Sequence, residues 1–417
     1  VKATDVFTPG KTPTVTLVDD HLVKRRQIFE DALDQGGMLV AISGPSKSGK
    51  TVFVKSIVGS GNLISITGAG ATSADELWTR VFHQLGTTVP KTTAVQESST
   101  ETQTGKAGGG LNLAVWKAQA DFGLAFADGK QSTRSDEHLT DYLQLLIEAM
   151  KGTDLVLFID DFHYLPVAAQ EEVARQIKEA IAHDVKVVCA SVPYHSEDVL
   201  RANADLRGRI VTIDFDYWDQ PTLSLIAEKG FAELNIDVGP DWITSFATEA
   251  AGSPQLMQSI CLNACFEGGY RTRAANKIKM SADRKFFADV CTRAAMSADY
   301  SGTLEKLREG PKTRGTDRIP HSLVEGGTGD VYTIILKAIV QDPPTLHFRY
   351  SRLQERIRAV CPNTVPVGSS VTGACHQIAI LANDNGRVII EWDPTEDVLD
   401  IRDPYLLFYM RWSGSLR

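Results

Sequence analysis

The 417-residue sequence predicts an α/β protein: a parallel-sheet core, a helical domain after it, and a small domain of helices and a two-stranded wing at the C-terminal end. Three observations predict this class. Short, fully apolar runs alternate with amphipathic helix patterns up to about residue 217, the order that buries a parallel sheet on both faces. From 220 to about 295 only helical periods occur. Past Asp330, three helix patterns precede two short strands and a last helix.

Composition narrows the function. A chain of this length forms roughly two to four compact units. Its 43 Lys+Arg oppose 52 Asp+Glu, a formal net charge of -9, so it does not coat nucleic acid by bulk charge and any such site is local. No run approaches the roughly 18 apolar residues of a spanning helix, and no basic-then-apolar leader opens the chain; the expectation is a soluble, cytoplasmic protein with no membrane partner. The six cysteines (189, 261, 265, 291, 361 and 375) form no CxxC pair, which argues against disulfides and zinc. Cys261 and Cys265, at i,i+4 on one helix face, read as buried thiols.

The elements follow in order. Residues 1–16 lack periodicity, and Leu22, Ile28, Phe29 and Leu33 then outline an amphipathic helix closing at Gly36-Gly37. Met38 to Ile42 reads as a buried strand, followed by a loop and a helix carrying Val52, Phe53 and Ile57. Leu63 to Thr67 is the next strand and Ala74 to Leu85 the next helix. Residues 86–135 break the pattern: a Thr/Ser/Gln-rich tract and Gly108-Gly109-Gly110 precede alternating apolar residues, which suit a β-hairpin or an inserted loop. A helix with Tyr142 and Leu146 leads to the apolar strand Leu155 to Ile159, which ends in Asp160-Asp161. Helix 167–182, strand Val185 to Ala190, a helix near 195–204 and strand Ile210 to Phe215 complete the core. A Gly- and charge-rich connector precedes helices 331–341, 350–360 and 369–383, strands Val388 to Trp392 and Val398 to Ile401, and helix 404–412, the pattern of a winged helix. The expected limits are 1–217 for the core, 218–295 for the helical domain, 296–329 for the connector and 330–417 for the winged helix.

Gly44-Pro45-Ser46-Lys47-Ser48-Gly49-Lys50-Thr51 fits G-x-x-x-x-G-K-[ST] between a buried strand and a helix, the context in which this pattern binds phosphate. Its glycines let main-chain amides turn toward phosphate oxygens, the helix N-terminus adds positive potential, Lys50 reaches the β and γ phosphates, and Thr51 ligates Mg²⁺. Asp160, at the tip of an apolar strand, is the candidate for the metal's coordination shell, and Asp161 the base for an attacking water. His163 reads as a packed or surface histidine rather than a proton shuttle. Ser191 ends the neighbouring strand, where it either orients water or the γ-phosphate or is a turn serine before Pro193. Arg207 and Arg209 are candidates for a charge supplied across a subunit interface, or plain surface arginines.

These motifs together resemble the AAA+-like ATPases, most of all the branch of origin-recognition-type and STAND signalling ATPases. Ala251-Gly252-Ser253-Pro254-Gln255-Leu256 is similar to that branch's Gly-x-Pro lid motif, which implies that Pro254 lies near the nucleotide. The resemblance implies ATP with Mg²⁺, Asp160 and Asp161 as the Walker B pair, Ser191 as first sensor and Arg207 or Arg209 as finger. It also implies a homo-oligomer and a protein effector or sensor partner, in DNA-linked processes or in antiviral and stress signalling. Two positions depart from the pattern: Gln255 stands where many relatives carry arginine, and Leu17-Val18-Asp19-Asp20-His21 where STAND members often show Gly-Arg.

Winged helices often bind DNA, and charge tests this one. Residues 330–417 hold nine Lys+Arg and ten Asp+Glu, and the presumed recognition helix, Ser369 to Asn383, has neither Lys nor Arg. Phosphate affinity needs cations, so a protein-contact or lid-docking role is favoured, although Gln377 and Asn383 are able to read bases. Positive charge collects instead at 267–318, with twelve Lys+Arg against seven Asp+Glu. There Lys312, Arg314 and Arg318 form the best candidate for an anion or nucleic-acid phosphate, or else a solvated connector. The leading expectation is an ATP-binding and ATP-hydrolysing switch; the alternatives are a non-hydrolysing, nucleotide-stabilised scaffold and an ATP-dependent DNA loader of origin or transposon type.

Overall fold

The computed structural model describes residues 1–86, 141–191, 206–280, 283–312, 318–383 and 388–416. The inserted segment beyond residue 86, the helix expected near 195–204 and Arg314 lie outside the described residues. The chain forms two compact units: a sheet unit of Leu22–Gly44 and Lys50–Phe215, and a second unit of Val1–His21, Pro45–Gly49 and Asp216–Arg417.

The sheet unit holds five parallel strands: β1 (Leu39–Ser43), β2 (Leu63–Thr67), β3 (Val156–Asp160), β4 (Lys186–Ser191) and β5 (Ile210–Asp214), in the order β2-β3-β4-β1-β5. The three inner strands are covered on both faces, which is why they read as unbroken apolar runs. Alternate residues serve two separate cores, as the pleat requires. Leu157, Ile159, Val187 and Cys189 pack with Trp78, Phe82 and Ile177 on one face; Phe158, Val188 and Ala190 pack with Phe29, Phe53 and Phe215 on the other. Burying each such aromatic or aliphatic side chain contributes about 1.5–3 kcal/mol, more than the roughly 1 kcal/mol of a cap such as Ser73, whose hydroxyl accepts from the Glu76 amide. Packing therefore fixes the helices, and caps only mark where they start.

Because all five strands run the same way, their C-terminal ends meet at one edge: Ser43 pairs with Ser191 and Asp214, and Thr67 with Asp160. The loop after β1 and the carboxylates after β3 thus leave the same edge of the sheet.

In the second unit, helices Gln220–Glu233, Pro240–Glu249, Pro254–Glu267 and Arg284–Ala295 enclose a core of Phe231, Phe246, Leu256, Ile260 and Cys261, forming the helical lid. Helices Val331–Ile339, Tyr350–Val360 and Gly368–Ala382 and a small antiparallel sheet form the winged helix, closed by helix Pro404–Trp412. That sheet has three strands where two were expected: His347–Arg349 pairs with Val398–Ile401, which pairs with Ile390–Asp393. A run with one buried residue, Phe348, carries too little pattern to be read as a strand. The expected connector contains helix Ser301–Glu309, whose Leu304 and Leu307 sit in the winged-helix core. Two buried leucines at i,i+3 among charged neighbours do not stand out in sequence. All six cysteines are free and buried. Among the described residues, no helix is long and apolar enough to cross a membrane.

Candidate functional site

The sheet unit supplies Gly44, Lys50 and Thr51 of the phosphate loop. Gly44 follows β1, and its amide donates to the Ser191 carbonyl at 3.3 Å. A Cβ at position 44 would lie 2.5 Å from Cβ of Phe215 and 2.8 Å from its carbonyl oxygen, so the loop leaves the sheet here only as glycine. Helix Lys50–Val58 opens directly on the two motif residues that carry charge chemistry. The ammonium of Lys50, buried at 9% exposure, donates to the Gly44 carbonyl at 2.6 Å and so lies across the loop that it closes. The Thr51 hydroxyl donates to Oδ2 of Asp160 at 2.6 Å. The start of this helix thus touches both Gly44 and the tip of β3.

Asp161 comes next, in the left-handed region at φ 56°, where a non-glycine backbone is strained by about 1–3 kcal/mol. Gly68, after β2, makes room for it: a Cβ at 68 would lie 2.7 Å from the Asp161 carbonyl oxygen. Burial, and then the neighbouring Asp160 charge, push the Asp161 carboxyl up to about 6, against the opposing pull of Lys50. A half-buried carboxyl near neutrality beside a cation and a second carboxylate is suited to accept a proton. Ser191 is buried at the end of β4, beside Ser43.

Arg207 and Arg209 are exposed and stand elsewhere. The Arg209 carbonyl accepts from the Leu39 amide at 2.8 Å, which puts it where β1 begins. A strand of five residues, about 15 Å, separates that end of β1 from the loop. Neither arginine joins the constellation of its own chain.

Pro45–Gly49 cluster with the second unit. The Trp218 indole donates to the Ser48 carbonyl at 3.0 Å, while the Trp218 amide donates to the Gly252 carbonyl at 3.0 Å. The lid motif is thereby tied to the loop tip. Ser253 caps helix Pro254–Glu267, accepting from the Leu256 amide at 3.2 Å, and Pro254 occupies the first turn. Lys47, at φ 62°, ion-pairs with Asp403 at 2.6 Å. Among the described residues, the buried hydroxyl of Ser48 has no hydrogen-bond partner. That orphan donor, the strand-loop-helix and the Lys50, Thr51 and Asp160 donor set fit a nucleoside triphosphate with a divalent cation.

Of the basic connector, Lys312 is exposed, but Arg318 is engaged internally: it donates to Asp330 at 2.7 Å and to the Glu309 carbonyl at 2.6 Å and lies over the Tyr332 ring. The expected anion cluster loses this member. The recognition helix exposes Ser369, Gly373, His376 and Ile380, an uncharged face.

No protein-family model matches the sequence, and no curated protein matches it. Among solved structures, the Walker-type ATPase of Pyrococcus abyssi aligns over 94% of this chain and 95% of its own, at 15% identity and a TM-score of 0.53. The chain has the fold of a Walker-type ATPase. The ORC2 protein of Aeropyrum pernix, solved with ADPNP and ADP, aligns over 97% of this chain and 96% of its own at 10% identity and a TM-score of 0.47. Cdc6p of Pyrobaculum aerophilum aligns over 99% of both chains at 14% identity and a TM-score of 0.44.

Sequence reasoning placed the motif residues and missed what holds the loop tip. Trp218 lies 170 positions from Ser48, Asp403 356 from Lys47 and Tyr300 103 from Asp403, and no local periodicity marks them. The pattern Asp403-Pro404, a helix cap followed by a first-turn proline, was the one available sign, and it indicates a helix start rather than a partner.

Proposed function

We propose that this protein binds and hydrolyses ATP, with Mg²⁺, and acts as a nucleotide-controlled switch. The observation that carries this reading is the 2.6 Å contact of Thr51 with Asp160, beside the Lys50 ammonium that donates to the Gly44 carbonyl. In this reading Lys50 and the amides of residues 46–51 hold the triphosphate, and Thr51 and Asp160 hold the cation, which would neutralise phosphate charge. Asp161 accepts the proton of the attacking water, and Ser191 orients that water or the terminal phosphate. Arg207 and Arg209 are exposed, with Arg209 at the opposite end of β1 from the loop, and serve a neighbouring copy in a homo-oligomer.

The winged helix, on this proposal, contacts a protein partner. The uncharged outer face of its third helix supports that role over duplex binding, which takes its affinity from cations. DNA-linked work or antiviral and stress signalling are both compatible with a nucleotide switch, and the partner decides between them.

The test is turnover of ATP by the full chain against Asp161→Asn and Lys50→Ala. The reading expects turnover to fall at least about 100-fold in Asp161→Asn with nucleotide still bound, and binding to be lost in Lys50→Ala. Binding without turnover in the unmodified chain would leave the nucleotide-stabilised scaffold as the function; no binding of any nucleotide would reject both.

A further inference from the structure

The second lysine of the phosphate loop is engaged by the start of the closing helix. Lys47, midway along the loop, directs its ammonium to both oxygens of Asp403, at 2.6 and 2.8 Å. It also sits 4.3 Å from the centre of the Tyr405 ring. Asp403 is 2% exposed, and two further donors reach it: the Tyr300 hydroxyl at 2.5 Å and the Tyr405 amide at 3.0 Å. It is thus the N-cap of the closing helix Pro404–Trp412 as well as the counter-ion of the loop.

From this geometry, and resting on the ATP-binding reading above, we propose that Lys47 and Asp403 form a charge latch. The latch withholds a loop cation from nucleotide, and a bound triphosphate opens it, so that Asp403 is the residue through which the C-terminal helix senses occupancy. The argument is one of competition for one ammonium. A triphosphate held by residues 44–51 attracts Lys47 more strongly than a neutral loop does, and each partner gains what the other loses. Drawing Lys47 away removes a charge-paired donor from both oxygens of a buried carboxylate, which weakens the helix cap that this carboxylate makes. Nucleotide binding and the closed latch therefore oppose each other, and the opposition is reciprocal: whatever loosens Asp403 favours nucleotide, and nucleotide loosens Asp403.

The experiment uses the full chain, with Asp403→Asn and Lys47→Gln. Asp403→Asn keeps an acceptor for the Tyr405 amide and a partner for Tyr300 while removing the charge. Calorimetry with a non-hydrolysable ATP analogue and Mg²⁺ should show Asp403→Asn binding about ten-fold tighter than the unmodified protein. Hydrogen exchange of the 405–407 amides should rise when the analogue saturates the unmodified protein. Lys47→Gln should show that raised exchange without nucleotide and respond no further. Equal affinities in the unmodified protein and a folded Asp403→Asn would overturn the latch, as would exchange in nucleotide-free Lys47→Gln equal to that of the unmodified protein. The second comparison stands even where Asp403→Asn does not fold. Failure of the ATP-binding reading looks different: neither the unmodified protein nor Asp403→Asn takes up the analogue.

Discussion

The hydroxyl of Thr51 donates to Oδ2 of Asp160 at 2.6 Å, joining the helix after β1 to the tip of β3 across the intervening strand β4. In a Mg²⁺ site both oxygens would turn to the same ion. Thr51→Ala and Asp160→Asn should each weaken Mg²⁺-dependent ATP binding about ten-fold while leaving binding in EDTA unchanged. Calorimetry with and without the metal checks this. Equal losses under both conditions would mean that the pair only supports the loop.

Asp161 gives the protein a pH dependence of definite sign. Burial first, and then Asp160, raise its carboxyl from 3.8 to about 6 in the folded chain, with Lys50 opposing. The folded state therefore holds this proton more tightly than the unfolded one, and stability from this group is full below about pH 4 and lost as pH rises through about 6. Ionised Asp161 then costs about 2 kcal/mol, a figure discounted for its partial contact with water. In magnesium-free buffer, Asp161→Asn should stabilise the protein by about that amount at pH 8 and by nearly nothing at pH 4. Urea denaturation at the two pH values decides; an equal gain at both would show that the carboxyl is not raised.

Two glycines frame the site by steric need. Gly44→Ala would drive a methyl group to 2.5 Å from Cβ of Phe215, and Gly68→Ala one to 2.7 Å from the Asp161 carbonyl oxygen. Each should cost about 1–3 kcal/mol, and Gly68→Ala should also slow ATP turnover by displacing Asp161. Thermal midpoints and single-turnover rates measure the two effects; a Gly68→Ala protein of unchanged midpoint would contradict the packing.

The lid and the closing helix share a buried ion pair. Glu249, 7% exposed, accepts from Arg411 at 2.6 and 3.0 Å and from the Trp412 indole at 2.7 Å. Arg411→Met strands that carboxylate and should cost about 3–5 kcal/mol, most of which the added change Glu249→Gln restores. A denaturation series of the three variants tests it, and a single-variant loss below about 1 kcal/mol would show the pair to be solvated.

The winged helix should give little salt-dependent DNA affinity. With no Lys or Arg in Gly368–Ala382, and Arg318 committed to Asp330, few phosphate contacts are on offer. The slope of log affinity against log salt should be near zero for duplex DNA. A steep slope that flattens in Lys312→Ala would restore the loader reading.

By itself, the sequence determined the strand-loop-helix at 39–58 and the acidic tip at 160–161. It also determined the order of core, lid and winged helix, because buried parallel strands and amphipathic helices impose periods that a local window contains. Short elements escaped it: His347–Arg349 and Ser301–Glu309 bury one and two apolar residues, and take their shape from neighbours already packed. What only the tertiary structure decided is the company each side chain keeps. Lys47 meets Asp403 across 356 positions, and Arg209 lies at the far end of the sheet from a loop it was expected to complement across an interface. Such pairings depend on where the chain returns after folding, and a carboxylate that caps a helix looks the same in sequence whether or not a lysine waits beside it.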